Sequence, residues 1–370
     1  MKPIGLYIHV PFCLSKCPYC DFYSLAKPTD DDLDAYTARV CAVMDEWAAR
    51  LPEREADTLY FGGGTPALLG GERLAAVIER ARARFGLADA EITLEANPAD
   101  DLRDTFAAFV AAGGNRLSLG MQSACVGELA VLGRRHTPAD VERTVADARN
   151  AGLGNISLDV MLGIAEQTEA TARQSAKVAA AFGAAHVSAY LLKVEPNTPY
   201  GRCAPPLPDE DATADLYLAA MDELDSLGYR QYEISNTALV GRESRHNLKY
   251  WKSEPYLGIG PAASSCLGGR RFAYPRDLTG FMNGAEPFDE PSGTIPVGSP
   301  TEYALLRLRL TEGISAADYA ARFGEPIPLA WRERAEVLPS TLVRQDAAGI
   351  RLTREGFLLS NTLLTHILAE

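Results

Sequence analysis

Positive charge and long apolar runs are both scarce in this 370-residue chain. Lys and Arg number 36 against 49 Asp and Glu, a formal charge of −13. Nonspecific nucleic-acid binding needs a basic footprint that displaces counterions from phosphates, so it is excluded as the main activity, a local basic pocket excepted. No apolar run approaches the roughly 20 residues that cross a bilayer. Residues 1–10 hold one lysine and a short apolar stretch broken by Gly5 and His9, unlike a secretory signal. The expected compartment is the cytoplasm. Internal repeats and low-complexity tracts are missing too, and 47% hydrophobic against 23% charged residues excludes wholesale disorder. Cysteine is sparse, seven residues and an odd count, yet three crowd into Cys13, Cys17 and Cys20. In a reducing compartment such a cluster reads as a metal site or redox chemistry before it reads as disulfides.

The length suggests about two domains, or one α/β barrel plus an appendage. Short β-branched or aromatic runs at 6–10, 58–61, 91–95, 116–121, 156–161 and 186–192 are each followed by a helical pattern. Leu33, Tyr36, Val40, Val43, Trp47 and Leu51 mark one helix face, begun by Asp30, Asp31 and Asp32. Leu216, Ala220, Leu224 and Leu227 mark another, stopped by Gly228. This alternation predicts a parallel sheet of about six βα units, fewer than a closed eight-stranded barrel needs. An incomplete barrel and an open doubly wound sheet both satisfy the periodicity. The alternation stops near residue 236, and the Gly/Pro/Ser-rich stretch 257–299 reads as loop and connector. Helices near 302–310 and 316–323, a hairpin over 342–353 and a closing helix form a smaller α+β, winged-helix-like unit. The domain expectation is therefore 1–236, 237–300 and 301–370.

Cys13-x3-Cys17-x2-Cys20 follows the first strand, at the carboxyl end where parallel α/β sheets place their sites. Three thiolates in a tight loop suit three irons of a 4Fe–4S cubane and leave the fourth iron open for a ligand. Zinc with His9 as fourth ligand is the rival, although the spacing is unlike paired knuckles. Three buried structural cysteines are the blandest reading, and the polar Ser15 and Lys16 in the loop speak against it.

The run Tyr7-Ile8-His9-Val10-Pro11-Phe12-Cys13-x3-Cys17-Pro18-Tyr19-Cys20 resembles the signature of the radical S-adenosylmethionine (SAM) family. The likeness lies in the HemN/HemW branch, which holds oxygen-independent coproporphyrinogen III dehydrogenases and heme chaperones. It continues through Gly62-Gly63-Gly64-Thr65-Pro66, Glu95-x-Asn97-Pro98, Leu117-Ser118-Leu119-Gly120-Met121-Gln122-Ser123, Leu132-Gly133-Arg134-x-His136 and His246-Asn247-x2-Tyr250-Trp251. The resemblance implies a partial (β/α)6 barrel, a 4Fe–4S cluster on Cys13, Cys17 and Cys20, and one-electron cleavage of S-adenosylmethionine to a 5′-deoxyadenosyl radical. It implies that Tyr7, Tyr19, Gly63 and Glu95 surround the cluster-bound cofactor, with Glu95 toward its ammonium group. Gly64, Thr65, Gln122, Arg134 and Asp159 match a second S-adenosylmethionine or substrate pocket, and Lys193 matches it loosely. Without the resemblance, Arg134 reads as a solvated helix residue and the glycine run as a tight turn.

Two departures favour the heme-chaperone side of the branch. The dehydrogenases carry a further cysteine two residues past the triplet, where this chain has Phe22, and a longer N-terminal extension. The HNxxYW motif, His246 to Trp251, is typical of the chaperone side as well. It implies heme as a third bound group, with His246 as axial ligand and Tyr250 and Trp251 against the porphyrin face. Gly260-Pro261-Ala262-Ala263-Ser264-Ser265 lacks the family's usual histidine, which leaves Cys266 as the competing ligand. Cys41, Cys125 and Cys203 read as incidental. The expected function is heme binding and transfer to hemoproteins of the respiratory chain, with coproporphyrinogen III dehydrogenation as the alternative. Expected partners are heme and the recipient hemoproteins, with no nucleic acid, at most peripheral membrane contact, and a homodimer as an open assembly.

Overall fold

A computed structural model describes residues 2–98, 101–290 and 295–369. Six strands alternate with helices: β1 (Ile4–Val10), α1 (Asp30–Arg50), β2 (Ala56–Gly63), α2 (Gly70–Phe85), β3 (Gly86–Ala96), α3 (Arg103–Ala111), β4 (Arg116–Gln122), α4 (Pro138–Asn150), β5 (Asn155–Leu162), α5 (Glu169–Ala181), β6 (His186–Leu191) and α6 (Glu210–Ser226). The six strands pair in parallel in chain order. Local chemistry sets their boundaries. Thr29 caps α1 by accepting from the Asp32 amide, while the Asp32 carboxylate accepts from Thr29 in return. The expected face of α1, Leu33, Tyr36, Val40 and Val43, is buried against the sheet. Gly228 ends the turn after α6 at φ +90, a conformation that favours glycine.

The two faces of this sheet differ. Leu59, Phe61, Ile92, Leu94, Leu117, Leu119, Ile156 and Leu158 pack under the helices and form the main core. The alternating residues on the other face are polar: Thr58 and Tyr60, Glu91, Thr93 and Glu95, Arg116 and Ser118, Ser157 and Asp159, His186 and Ser188. The curved sheet thus surrounds a polar lumen instead of the layered aliphatic filling usual in closed barrels.

Part of the stretch read as a connector belongs to this sheet, which corrects the expectation for 257–299. Strand β7 (Tyr256–Ile259) pairs in parallel with β1, and β8 (Ser264–Leu267) and β9 (Arg270–Ala273) extend the edge as an antiparallel hairpin. Their Gly and Ser content hid them, because Gly258, Ser264 and Ser265 are weak strand formers held by pairing. Of that stretch, residues 291–294 lie outside the described part. At the other edge Asn236–Ala238 pairs antiparallel with β6. Helix α7 (Arg245–Trp251), which carries the HNxxYW motif, lies under the floor of the lumen. Glu91 of β3 caps it by accepting from the Arg245 and His246 amides at 3.1 and 3.0 Å.

The C-terminal unit has its own core around Tyr303, Tyr319, Trp331, Phe357 and Leu364. Helices Pro300–Arg307 and Ala316–Phe323 and the hairpin Val343–Asp346/Gly349–Leu352 stand where the sequence placed them. A third helix, Leu329–Glu336, and a third strand, Ile314–Ser315, were not foreseen. The helix is short with weak periodicity, and a two-residue strand leaves no pattern. The unit is tied to the barrel by Arg271–Glu302 at 3.0 Å and Arg354–Asp222 at 2.6 Å.

Candidate active site

A cavity of about 920 Å³ opens at the carboxyl ends of β1–β6. Twelve of the thirteen expected site residues line it: Tyr7, Cys13, Cys17, Tyr19, Cys20, Gly63, Gly64, Thr65, Glu95, Gln122, Arg134 and Asp159. Lys193 lines it too, held at its exposed rim by Glu195 at 2.6 Å. The thirteenth, His246, does not.

The three cysteines occupy the loop after β1, half-buried and free. Arg134 is not the solvated helix residue of the bland reading. It follows a short helix and turns inward, donating to Gly120 O at 2.9 Å, to Asn97 Oδ1 at 2.8 Å and toward Cys17 Sγ at 3.4 Å. Asn97 donates to Thr65 Oγ1 at 2.9 Å, and the Thr65 hydroxyl lies 3.7 Å from Cys13 Sγ. One polar chain therefore links Cys17 to Cys13 and aims donors at both sulfurs, as sulfur ligands with negative charge require. Among the described residues no three His, Cys, Asp or Glu side chains converge on a single ion. Three thiols in one loop suit a cluster in which each takes its own iron. His9, the candidate fourth zinc ligand, has both ring nitrogens engaged, with Tyr7 OH at 3.1 Å and Tyr23 O at 2.8 Å.

The glycine run forms a cradle that side chains would fill. A Cβ on Gly62 would stand 2.8 Å from Tyr7 and 3.1 Å from the Glu95 carboxylate, and one on Gly64 would meet Phe12 O at 2.4 Å. Glu95 accepts from Tyr60 OH at 2.8 Å and from the Gly63 amide at 3.2 Å, with its remaining lone pairs toward the cavity. Burial pushes its carboxyl up to about 7, against the hydrogen bond from Tyr60. Asp159 accepts from Ser118 at 3.1 Å, and burial raises it to about 6. Gln122 stands at φ +64, a strained position that turns its amide toward Tyr190 OH at 2.8 Å. These residues fit a ligand that is cationic at one end and polar elsewhere, as S-adenosylmethionine is.

His246 corrects the expectation of an axial heme ligand. It is 1% exposed, and both nitrogens are bonded, Nδ1 to Thr58 Oγ1 and Nε2 to Tyr250 OH, each at 2.7 Å. Burial lowers its pKa to about 3, so the ring is neutral, and its one lone pair is taken up by a hydrogen bond from a hydroxyl. Its neighbour Lys249 is buried as well and pairs with Asp57 at 2.8 Å. The motif is a plug: Asn247 and Tyr250 face the cavity from below, and His246 pins Tyr250. Trp251 is half-exposed and outside the cavity, so it forms no porphyrin wall there. Cys266 is half-buried on β8 and does not line the cavity either. The donors at His246 and Cys266 thus do not fit an iron in this cavity.

Sequence reasoning missed the lumen itself. The signal was present: polar residues at every second position in strands otherwise rich in Leu, Ile and Val.

The sequence pattern of the Radical SAM superfamily matches residues 7–179, and that of the HemN C-terminal domain matches residues 300–359. The heme chaperone HemW of Escherichia coli is 36% identical over 100% of this chain and 99% of its own length. That of Mycobacterium tuberculosis is 36% identical over 99% and 95%. The mouse mitochondrial radical S-adenosyl methionine domain-containing protein 1 is 34% identical over 99% and 87%. Among solved structures, coproporphyrinogen III oxidase (HemN) from Escherichia coli superposes with a TM-score of 0.82 at 19% identity, covering 99% of this chain and 90% of that one. At that identity the likeness concerns the fold.

Proposed function

The chain belongs to the radical SAM superfamily and, within it, to the family of the heme chaperones named HemW, and from that membership we propose that it binds heme and hands it to hemoproteins. Hemoproteins of the respiratory chain are the proposed recipients. Among the described residues no helix is long and apolar enough to cross a membrane.

Cys13, Cys17 and Cys20 are the proposed holders of the 4Fe–4S cluster, and Tyr7, Tyr19, Gly63 and Glu95 the proposed neighbours of S-adenosylmethionine. When bound together, these two groups supply one-electron cleavage of a carbon–sulfur bond. The chain's own part is positional. The Gly62–Gly64 backbone leaves room for close approach, Glu95 offers a carboxylate to an ammonium group, and the Arg134–Asn97–Thr65 chain steadies the cysteine loop. His246 routes no step, because its nitrogens are already used.

The observation that carries the choice between chaperone and dehydrogenase is Phe22. It stands two residues past Cys20 at the cavity mouth, 65% exposed, and presents a ring where the dehydrogenases present a thiol. Anaerobic incubation of reconstituted protein with heme and with coproporphyrinogen III, followed by chromatography, tests the reading. Heme bound and passed to an apo-hemoprotein, with coproporphyrinogen unchanged, is the expected result. Protoporphyrinogen IX above a cluster-free control transfers the assignment to the dehydrogenase.

A further inference from the structure

One charge in the lumen is left over by the site just described. Arg116 opens β4, is 1% exposed, and heads the largest fully buried side chains. It faces inward, lining the cavity with Ser118 and Asp159. Among the described residues it has no carboxylate within ion-pair distance, and its Nε has no hydrogen-bond partner. A lone guanidinium costs several kcal/mol to bury unless something of opposite sign faces it.

Two carboxyls do. Arg116 is level with Thr93 of β3, which places Glu95 one pleat above it on the same face. Asp159 stands on β5, bonded to Ser118, two residues along from Arg116. A receptor for an anionic ligand is disfavoured here, because both carboxyls would repel the newcomer. We propose that Arg116 is a positioning residue, an interior counter-charge that keeps the Glu95 carboxyl ionised for a cationic ligand. The inference rests on the reading above that this ligand is the ammonium group of S-adenosylmethionine.

The groups facing Glu95 make the argument specific. Tyr7 comes from β1, Tyr60 from β2, Tyr190 from β6 and Tyr250 from α7, and burial pushes all four hydroxyls above the ordinary tyrosine value. They are neutral in the working range, which leaves Asp159, Arg116 and, farther along the cavity wall, Arg134 as the charged groups around Glu95. Asp159 opposes its ionisation and Arg116 favours it. Burial has already brought Glu95 to the edge of protonation near neutral pH, where the charges beside it act on its state together with the hydrogen bonds from Tyr60 and Gly63.

The test titrates the Glu95 carboxyl by isotope-edited infrared spectroscopy in anaerobically reconstituted full-length protein without S-adenosylmethionine, the band being identified by its loss in Glu95→Gln. Arg116→Gln should raise the midpoint by about one pH unit or more. Arg116→Lys should restore it toward wild type, and Asp159→Asn should lower it. Calorimetric binding of S-adenosylmethionine should follow, with Arg116→Gln losing about tenfold in affinity near neutral pH and recovering as the pH rises. An unchanged midpoint in Arg116→Gln overturns the proposal. Should that variant not fold, Arg116→Met, which removes the charge and keeps most of the side-chain volume, takes its place, and an unchanged midpoint there overturns the proposal equally. Failure of wild type to bind S-adenosylmethionine sinks the reading of the site instead, and the infrared result still decides for Arg116.

Discussion

The mouth of the barrel and its floor carry side chains of the same reputation, thiols above and an imidazole below, and their surroundings make them opposites. At the mouth, Cys13, Cys17 and Cys20 are half-buried, and donors are aimed at sulfur, among them the Thr65 hydroxyl and the Arg134 guanidinium. At the floor, both ring nitrogens of His246 are spent on Thr58 and Tyr250, and Lys249 is paired with Asp57. Free lone pairs facing a cavity bind ligands. Saturated ones under a cavity build it. Residue type and spacing alone do not separate the two cases, because a ligand histidine and a pinning histidine look alike in one dimension.

The contrast breaks most visibly at the cysteines. Replacing Cys13, Cys17 or Cys20 by Ala should abolish the cluster, since each thiolate takes one iron, while Cys41, Cys125 and Cys203 variants keep it. Anaerobic iron and sulfide counting with Mössbauer spectroscopy reads the outcome, and stoichiometric zinc in the wild type would replace the cluster assignment. Gly64→Ala strikes the same loop indirectly. Its Cβ would lie 2.4 Å from Phe12 O, and backbone cannot swing aside as a side chain can. The strand end before Cys13 must shift, at about 1–3 kcal/mol, so partial cluster occupancy with wild-type secondary structure is expected. Full occupancy in that variant would show that the loop tolerates the displacement.

The floor should respond in stability and not in spectra. His246→Ala removes two buried hydrogen bonds, leaves Thr58 and Tyr250 short of partners, and opens a void beneath Tyr250. A loss of about 2–4 kcal/mol in denaturant unfolding is expected, with the cluster spectrum and the Soret band of bound heme unchanged. A shifted Soret band would return His246 to the heme and require the floor to open.

The strands and helices of the barrel were legible because each carries its own period, apolar on the helix-facing side and capped by residues such as Thr29 and Gly228. The cysteine loop and the Glu95, Gln122, Arg134 and Asp159 positions were legible through motif order, which the cavity gathers into one place. Strands β7–β9 were not, since their Gly and Ser residues hold a sheet edge by pairing with β1 and with each other. Nor was the role of His246, which depends on Thr58, Glu91 and Tyr250, two of them more than 150 residues away. Nothing local encodes that a helix N-terminus will be capped by a glutamate from another strand.

The smallest effect is the pH signature of the pin. Burial depresses the folded pKa of His246 to about 3, against an ordinary 6.5 in the unfolded chain. Above the unfolded value the ring is neutral in both states and the stability it contributes is fully present. As the pH falls below it, the unfolded chain gains a proton that the folded chain refuses, and stability is lost progressively toward the folded value. Glu95 and Asp159 work in the opposite sense: their folded values are raised, so their share is present at low pH and lost as the pH rises toward about 7 and about 6. The summed curve therefore hides each contribution, and the difference between wild type and His246→Gln isolates one. Unfolding free energies should converge by about 1 kcal/mol between roughly pH 7 and pH 5.5, the variant being the less acid-sensitive. Parallel curves would mean that His246 titrates normally in the folded protein, which demands an exposed imidazole and would reopen the floor as a ligand site.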